Sequence, residues 1–204
     1  MLTHREDRTV PGHYGSPAGE LAACIRAAGL AWRSDLVVGS AGPGGTSRPF
    51  PGGAEFDHDG WRCRLPQGAT TLCVGRPSSR VFAPSEAPGL ATGVPVQASQ
   101  GLGVLNLLGP AARALLAAAG LPGLLGDTAE LPPFSQVRLA GIPAQLLIQT
   151  FDNMLVLVHP DDAPATWRTL VRAGHAHGAA TVGIEAVERY LLAERRRPGR
   201  SLAI

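Results

Sequence analysis

The 204-residue chain carries a formal charge of +2 and 45% apolar residues, enough for a buried core but without the concentrated basic face that nucleic acid requires. All eighteen basic residues are arginine, which excludes a P-loop lysine, a Schiff-base lysine and a lysine general base. The 26 glycines and 18 prolines reflect a GC-rich genome, and the length suits one domain, with residues 13–195 as its body.

The opening MLTHREDRTV is polar and charged, and residues 1–12 read as a loose tail. A first helix is then well marked. Ser16 caps it, Pro17 suits its first position and Gly29 its exit, with Leu21, Cys24, Ile25 and Ala28 spaced along one buried face. DLVVGSAGPGG reads as a short strand running into a glycine-rich loop, Gly39 to Gly53. Trp61–Leu65 and Thr70–Val74 form a hairpin about a Pro-Gln-Gly turn. Arg76 to Pro95 is rich in Pro, Ser and Gly and serves as a linker or surface loop.

Strand signals return at Val104–Leu108, Gln136–Leu139, Pro143–Thr150 and Met154–His159, with turns at Ala140-Gly141 and Asp152-Asn153. A helix starting near Asp162 and Pro164 turns Trp167, Leu170 and Val171 inward. A last helix, starting near Thr181, places Ile184, Val187, Leu191 and Leu192 along one side. ERRRPGRSLAI closes the chain as a solvated helix end and a tail, 196–204. The pattern is α+β, helices laid on a mainly antiparallel sheet.

Cys24, Cys63 and Cys73 are odd in number, lack metal-ligand spacing and read as reduced thiols. With no secretory segment at the N-terminus, the expectation is a cytoplasmic protein. No apolar run has the length of a membrane span. His175 and His177 alternate near a helix end, where the macrodipole favours histidine, and no metal is expected there.

The stretch QGLGVLNLLGPAARALLAAAGLPG invites a nucleotide-binding reading. A dinucleotide fingerprint needs its glycines at a strand-to-helix turn. Here Gly101 and Gly103 precede the strand, and Pro110, which follows Gly109, has no N–H to offer a phosphate. Pro110 instead suits the first turn of a helix that runs to Ala119 and stops at Gly120.

VLNLLGPAARALLAAAG resembles the strand–Gly-Pro–helix segment of the glycine-cleavage T-protein (aminomethyltransferase) superfamily. HYGSPAGELAACIRAAGLAWRSDLVVGSAGPGG is similar to its opening, LPPFSQVRLAGIPAQLLIQ to its central hairpin, and LVLVHPDDAPATWRTLVRAG with VGIEAVERYLLAE to its closing helices. The four segments occur in the superfamily's order, from Tyr14 to Glu194. The resemblance implies an α+β fold with ferredoxin-like lobes. It also implies tetrahydrofolate as cofactor, although the further C-terminal barrel domain of the T-proteins finds no residues here. In size the chain is nearest the gamma subunit of heterotetrameric sarcosine oxidase.

The same resemblance supplies site residues. The enzymes place a carboxylate beside the reactive folate nitrogen, and GGAEFDHDG is the nearest segment, with Asp57 and Asp59 as catalytic candidates and Glu55 beside them. The same residues are also turn chemistry. Asp152 stands where the family's pterin-holding carboxylate would be, and Tyr14 matches a family tyrosine. Arg62 and Arg64, alternating on a strand, suit ligand carboxylates or a solvated face. Other family contacts have changed, to Gly75, Leu191 and Ala193. Three readings follow: a tetrahydrofolate-associated protein of one-carbon metabolism, a non-catalytic subunit packed on larger flavoprotein subunits, and a small biosynthetic enzyme using the same cavity. Their partners are a small-molecule ligand or protein subunits, possible within an oligomer, and neither nucleic acid nor membrane.

Overall fold

In the computed structural model, residues 1–5, 8–41, 54–57, 60–64, 71–76, 97–99, 102–125 and 134–195 are described. The first elements are β1 (Leu2–Arg5), β2 (Arg8–Pro11), α1 (Pro17–Arg26), β3 (Gly29–Trp32), β4 (Val37–Ala41), β5 (Ala54–Asp57), β6 (Gly60–Arg64), β7 (Thr71–Gly75) and β8 (Gln97–Ser99). There follow β9 (Gly103–Leu108), α2 (Ala112–Ala118), a 3-10 turn (Pro122–Leu125), β10 (Phe134–Leu139), β11 (Ile142–Thr150), β12 (Asn153–Val158), α3 (Ala163–His175), β13 (Ala180–Thr181) and α4 (Ile184–Arg195). They fall into two compact units, one made of Met1–Ser34 with the chain from Gly103 onward, the other of Asp35–Leu102.

The first unit is built on a six-stranded sheet ordered β10-β11-β12-β9-β3-β13. Its neighbours are antiparallel except the β3–β13 pair at the edge. Strict alternation assigns its faces. Leu30, Leu107, Met154 and Ile148 sit opposite one another across four strands and share a core with Leu115 and Leu116 of α2 and Leu170 of α3. Trp32 meets Trp167 edge-on beside it, ring centroids 5.8 Å apart. Ala31 and Leu108 point to the other face, into a core with Cys24 of α1 and Ile184, Val187 and Tyr190 of α4. The second unit holds a five-stranded antiparallel sheet ordered β5-β6-β7-β4-β8.

Local chemistry accounts for the element ends. Ser16 accepts a hydrogen bond from the Gly19 N–H at 3.3 Å and Pro17 opens α1, as the cap and proline predict. Ala140 and Gly141, both at positive φ, turn β10 into β11. Gly109, at φ +100°, ends β9 where the chain must enter α2.

Several expectations change. Leu2–Arg5 and Arg8–Pro11, within the stretch expected as a loose tail, pair as antiparallel strands, and Val10 is buried with α1 and α4. Gly29 does not end α1 but begins β3, so close to Cys24 Sγ that a side chain would collide with it. Ile25 is 45% exposed and Leu192 51%. Glu20 and Tyr190 take inward places instead, Glu20 accepting three backbone N–H bonds and Tyr190 packing its ring into the core beside Cys24 and Val187. The glycine-rich loop beyond Ala41, the Pro-Gln-Gly turn, the linker after Arg76, Gly101 and the tail 196–204 lie outside the described residues. Among the described residues no helix is long and apolar enough to cross a membrane.

Candidate functional site

Three buried polar residues of the first unit, with Gln149 beside them, lie on one line. Arg33 lies just past β3, Asn106 in the middle of β9, Asn153 at the start of β12 and Gln149 near the end of β11. Arg33 Nη1 donates to Asn106 Oδ1 at 3.1 Å, and Asn106 Nδ2 donates to Asn153 Oδ1 at 2.8 Å and to the Met154 carbonyl at 3.0 Å. Asn153 Nδ2 then donates to Gln149 Oε1 at 2.6 Å. Asn106 is fully buried, and Arg33 and Asn153 are 7% and 6% exposed. Burying such groups is tolerable because each finds a partner along the row.

The β11–β12 turn closes this row. Asp152, at 4% exposure, sits beside Asn153, and its backbone carbonyl accepts the Gly109 N–H at 2.8 Å. Phe151 projects outward at 58% exposure and carries the Arg113 guanidinium of α2 over its ring, 4.1 Å from the centroid. The backbone of the turn that carries the carboxylate assigned from sequence is therefore tied to the end of β9.

A second polar point holds the loop before α1. The buried Glu20 carboxylate accepts the Tyr14 N–H at 2.7 Å and the Gly15 N–H at 2.9 Å through Oε1, and the Gly183 N–H at 2.8 Å through Oε2. Gly183 has to be glycine here, since a Cβ would overlap Gly12. One carboxylate thus fastens the loop carrying Tyr14 to the start of α4, through charge-assisted bonds. Tyr14 itself is 51% exposed. Its phenol is held above its ordinary value by partial burial and by the Glu20 charge.

Cys24, fully buried nearby, behaves as a core residue. Burial pushes its thiol up to about 12, the Glu20 charge acting in the same direction. The folded value lies above the ordinary thiol value of 9.0, so the neutral thiol's contribution to stability is complete below 9.0 and is lost as pH rises through about 12. In native protein the peptide containing Cys24 should stay unlabelled by a thiol reagent at mildly alkaline pH, and label fully in denaturant. Mass spectrometry reads both, and rapid native labelling would contradict a thiol locked in the core.

Of the other sequence candidates, Asp57 ends β5 opposite Gly60. Arg62 lies in β6 opposite Glu55 and Cys73, and Arg64 opposite Thr71. Register puts Glu55, Asp57, Arg62 and Arg64 at positions on one side of the second unit's sheet. Asp59 lies outside the described residues. Tyr14 and Asp152 belong to the first unit, on different loops. Arg33, Asn106, Gln149 and Glu20 were not singled out from sequence, although Asn106 interrupting the apolar strand VLNLL was a visible signal. Among the described residues no cluster of three His, Cys, Asp or Glu residues could hold a metal.

No protein-family model matches the sequence, and no curated protein matches it. Solved structures do. Glycine cleavage system aminomethyltransferase T from Bartonella henselae is similar over 94% of this chain, with TM-score 0.69 and 20% identity. This chain covers 58% of that protein's length. A chain of the heterotetrameric sarcosine oxidase from Corynebacterium sp. U-96, solved with pyrrole 2-carboxylate, matches 81% of this chain and 94% of its own length, with TM-score 0.53 and 22% identity. The chain therefore has the α+β, mainly antiparallel fold of the glycine-cleavage T-protein, and spans little more than half of such a protein.

Proposed function

We propose that this chain is an aminomethyltransferase-like, tetrahydrofolate-associated protein of one-carbon metabolism, working in the cytoplasm. The observation that carries the reading is Asp152, a buried carboxylate beside a row of amides in a T-protein fold. A reduced pterin presents N–H donors and a carbonyl along one edge, and a carboxylate next to amide groups fits that mixture. Tyr14 offers a half-exposed aromatic face. When bound, tetrahydrofolate supplies the acceptor for a one-carbon unit; Asp152 and Tyr14 would bind and orient it.

In the second unit, we assign Arg62 and Arg64 to ligand carboxylates and Asp57 with Asp59 to handling a proton. Calorimetric titration with folinic acid tests the reading. Binding is expected at sub-millimolar ligand, with Asp152→Asn weakening it about tenfold through the lost charged acceptor. No binding by the unaltered protein at millimolar folinic acid would overturn it.

A second reading is favoured by one finding, the match to nearly the full length of a sarcosine oxidase chain. On that reading the protein is a non-catalytic, gamma-type subunit of a flavoprotein complex. A protein that purifies as a stable monomer counts against it.

A further inference from the structure

We infer that the side-chain amide nitrogen of Gln149 is a ligand-binding donor, selecting molecules that present a carbonyl or ring-nitrogen acceptor. The inference rests on the proposed folate-type reading and adds a specificity residue to it.

The argument starts from Arg33. A guanidinium has donors and no acceptor, so it obliges Asn106 to turn its oxygen toward Arg33. The Asn106 nitrogen must then face Asn153, and its second bond, to the Met154 carbonyl, requires the same orientation independently. Asn153 is thereby forced to present oxygen to Asn106 and nitrogen to Gln149. Gln149 is left with its oxygen occupied and its nitrogen pointing away from the row. Every amide in the line has one possible orientation, set by a cation three residues of the row away.

Two further observations make the end of the row a place for a ligand. Gln149 is only partly buried, and among the described residues nothing accepts from its nitrogen. The β11–β12 register also shifts between Ile148 and Thr150, so Gln149 falls at the irregularity, where bulges re-aim side chains. Asp152 follows three positions later, in the turn. A row of hydrogen bonds running from a cation polarises each successive donor. Its terminal N–H is thus better suited to an acceptor than that of an isolated surface amide. A ligand offering a donor at this point would meet N–H against N–H.

The test titrates folinic acid into the unaltered protein, Gln149→Glu and Gln149→Met, with thermal melting of each. Glutamate still accepts from Asn153 but turns an oxygen toward the ligand's acceptor; methionine keeps the volume and removes the donor. Affinity should fall about tenfold or more in Gln149→Glu, with melting little changed, and about fivefold in Gln149→Met, whose midpoint drops by a few degrees because Asn153 loses its acceptor. In the unaltered protein the Gln149 side-chain amide resonance should shift on adding folinic acid. Equal affinity in all three proteins, or an unmoved Gln149 resonance, sinks the inference and leaves the folate reading standing. No binding by the unaltered protein removes that reading and the inference with it. If Gln149→Glu does not fold, Gln149→Met and the resonance decide.

Discussion

Asn106→Ala should lower the thermal unfolding midpoint by about 10 °C, taking roughly 2–4 °C per kcal/mol for a chain of this size. Asn106 is the centre of the buried row, giving Arg33 an acceptor and both Asn153 and the Met154 carbonyl a donor. Alanine removes these three bonds, and a longer one to the Leu107 carbonyl at 3.5 Å, at a position with no solvent access, so water cannot substitute without opening the sheet. A bond to a charged donor is worth about 1.5–3 kcal/mol, and each stranded buried polar group costs about 1–3 kcal/mol. The combined loss is of the order of 3–4 kcal/mol, before any cavity term. Asn106→Asp sharpens the test, since it keeps an acceptor for Arg33 and loses both N–H bonds. It should fall between the native protein and Asn106→Ala. A midpoint for Asn106→Ala within about 2 °C of the native protein would show that the row contributes little.

Gly109→Ala should be at least as damaging. The residue sits at φ +100°, a conformation that costs a side-chain-bearing residue about 1–2 kcal/mol. Its added Cβ would also drive into the Cys24 carbonyl oxygen and lie 2.7 Å from the Ala27 carbonyl oxygen. Neither contact can relax as a side chain would, because both atoms are backbone at the end of α1. Moving Gly109 instead would break its N–H bond to the Asp152 carbonyl and disturb the neighbouring Ala111 N–H bond to Ala27. Strain and clash together should cost about 3 kcal/mol or more. Gly123 provides the control: a Cβ there meets nothing within 4 Å, so Gly123→Ala should be neutral to within about 0.5 kcal/mol. Urea midpoints of the two variants check both expectations. Equal midpoints would contradict the close approach at Gly109. Because Gly109 ties α1 to the turn carrying Asp152, Gly109→Ala should also weaken any ligand held at that turn.

Elements with short-range causes were legible in the sequence. Ser16 and Pro17 start α1, Ala140-Gly141 turns β10 into β11, and the Gly109-Pro110 pair carries β9 into α2. The glycine-rich segment accordingly reads as structural punctuation rather than a phosphate loop. The resemblance drawn from four ordered segments is matched by the fold of aminomethyltransferase T. Exposure was less legible. Ile25 and Leu192 fit helical apolar spacing yet face outward, because periodicity locates a stripe without saying how wide a partner covers it.

The candidate site divides in the same way. Asp152 was visible as the carboxylate in a turn after a recognisable hairpin, a local feature. The row of buried amides was not, since Arg33 and Asn106 are separated by 73 positions and Asn106 and Asn153 by 47. Glu20 reads locally as an acidic residue in a helix's first turn, where the macrodipole would suffice to explain it. Its bond to Gly183 spans 163 positions and gives it another role. The starts of α1 and α2, the β10–β11 turn and the class of fold could be read along the chain, because caps, prolines and glycines act on their immediate neighbours. Which polar side chains are buried together, and which way each amide points, follows from the folded arrangement alone. Those choices depend on partners that strand pairing brings within bonding distance, and on a donor-only arginine whose orientation is imposed along the whole row.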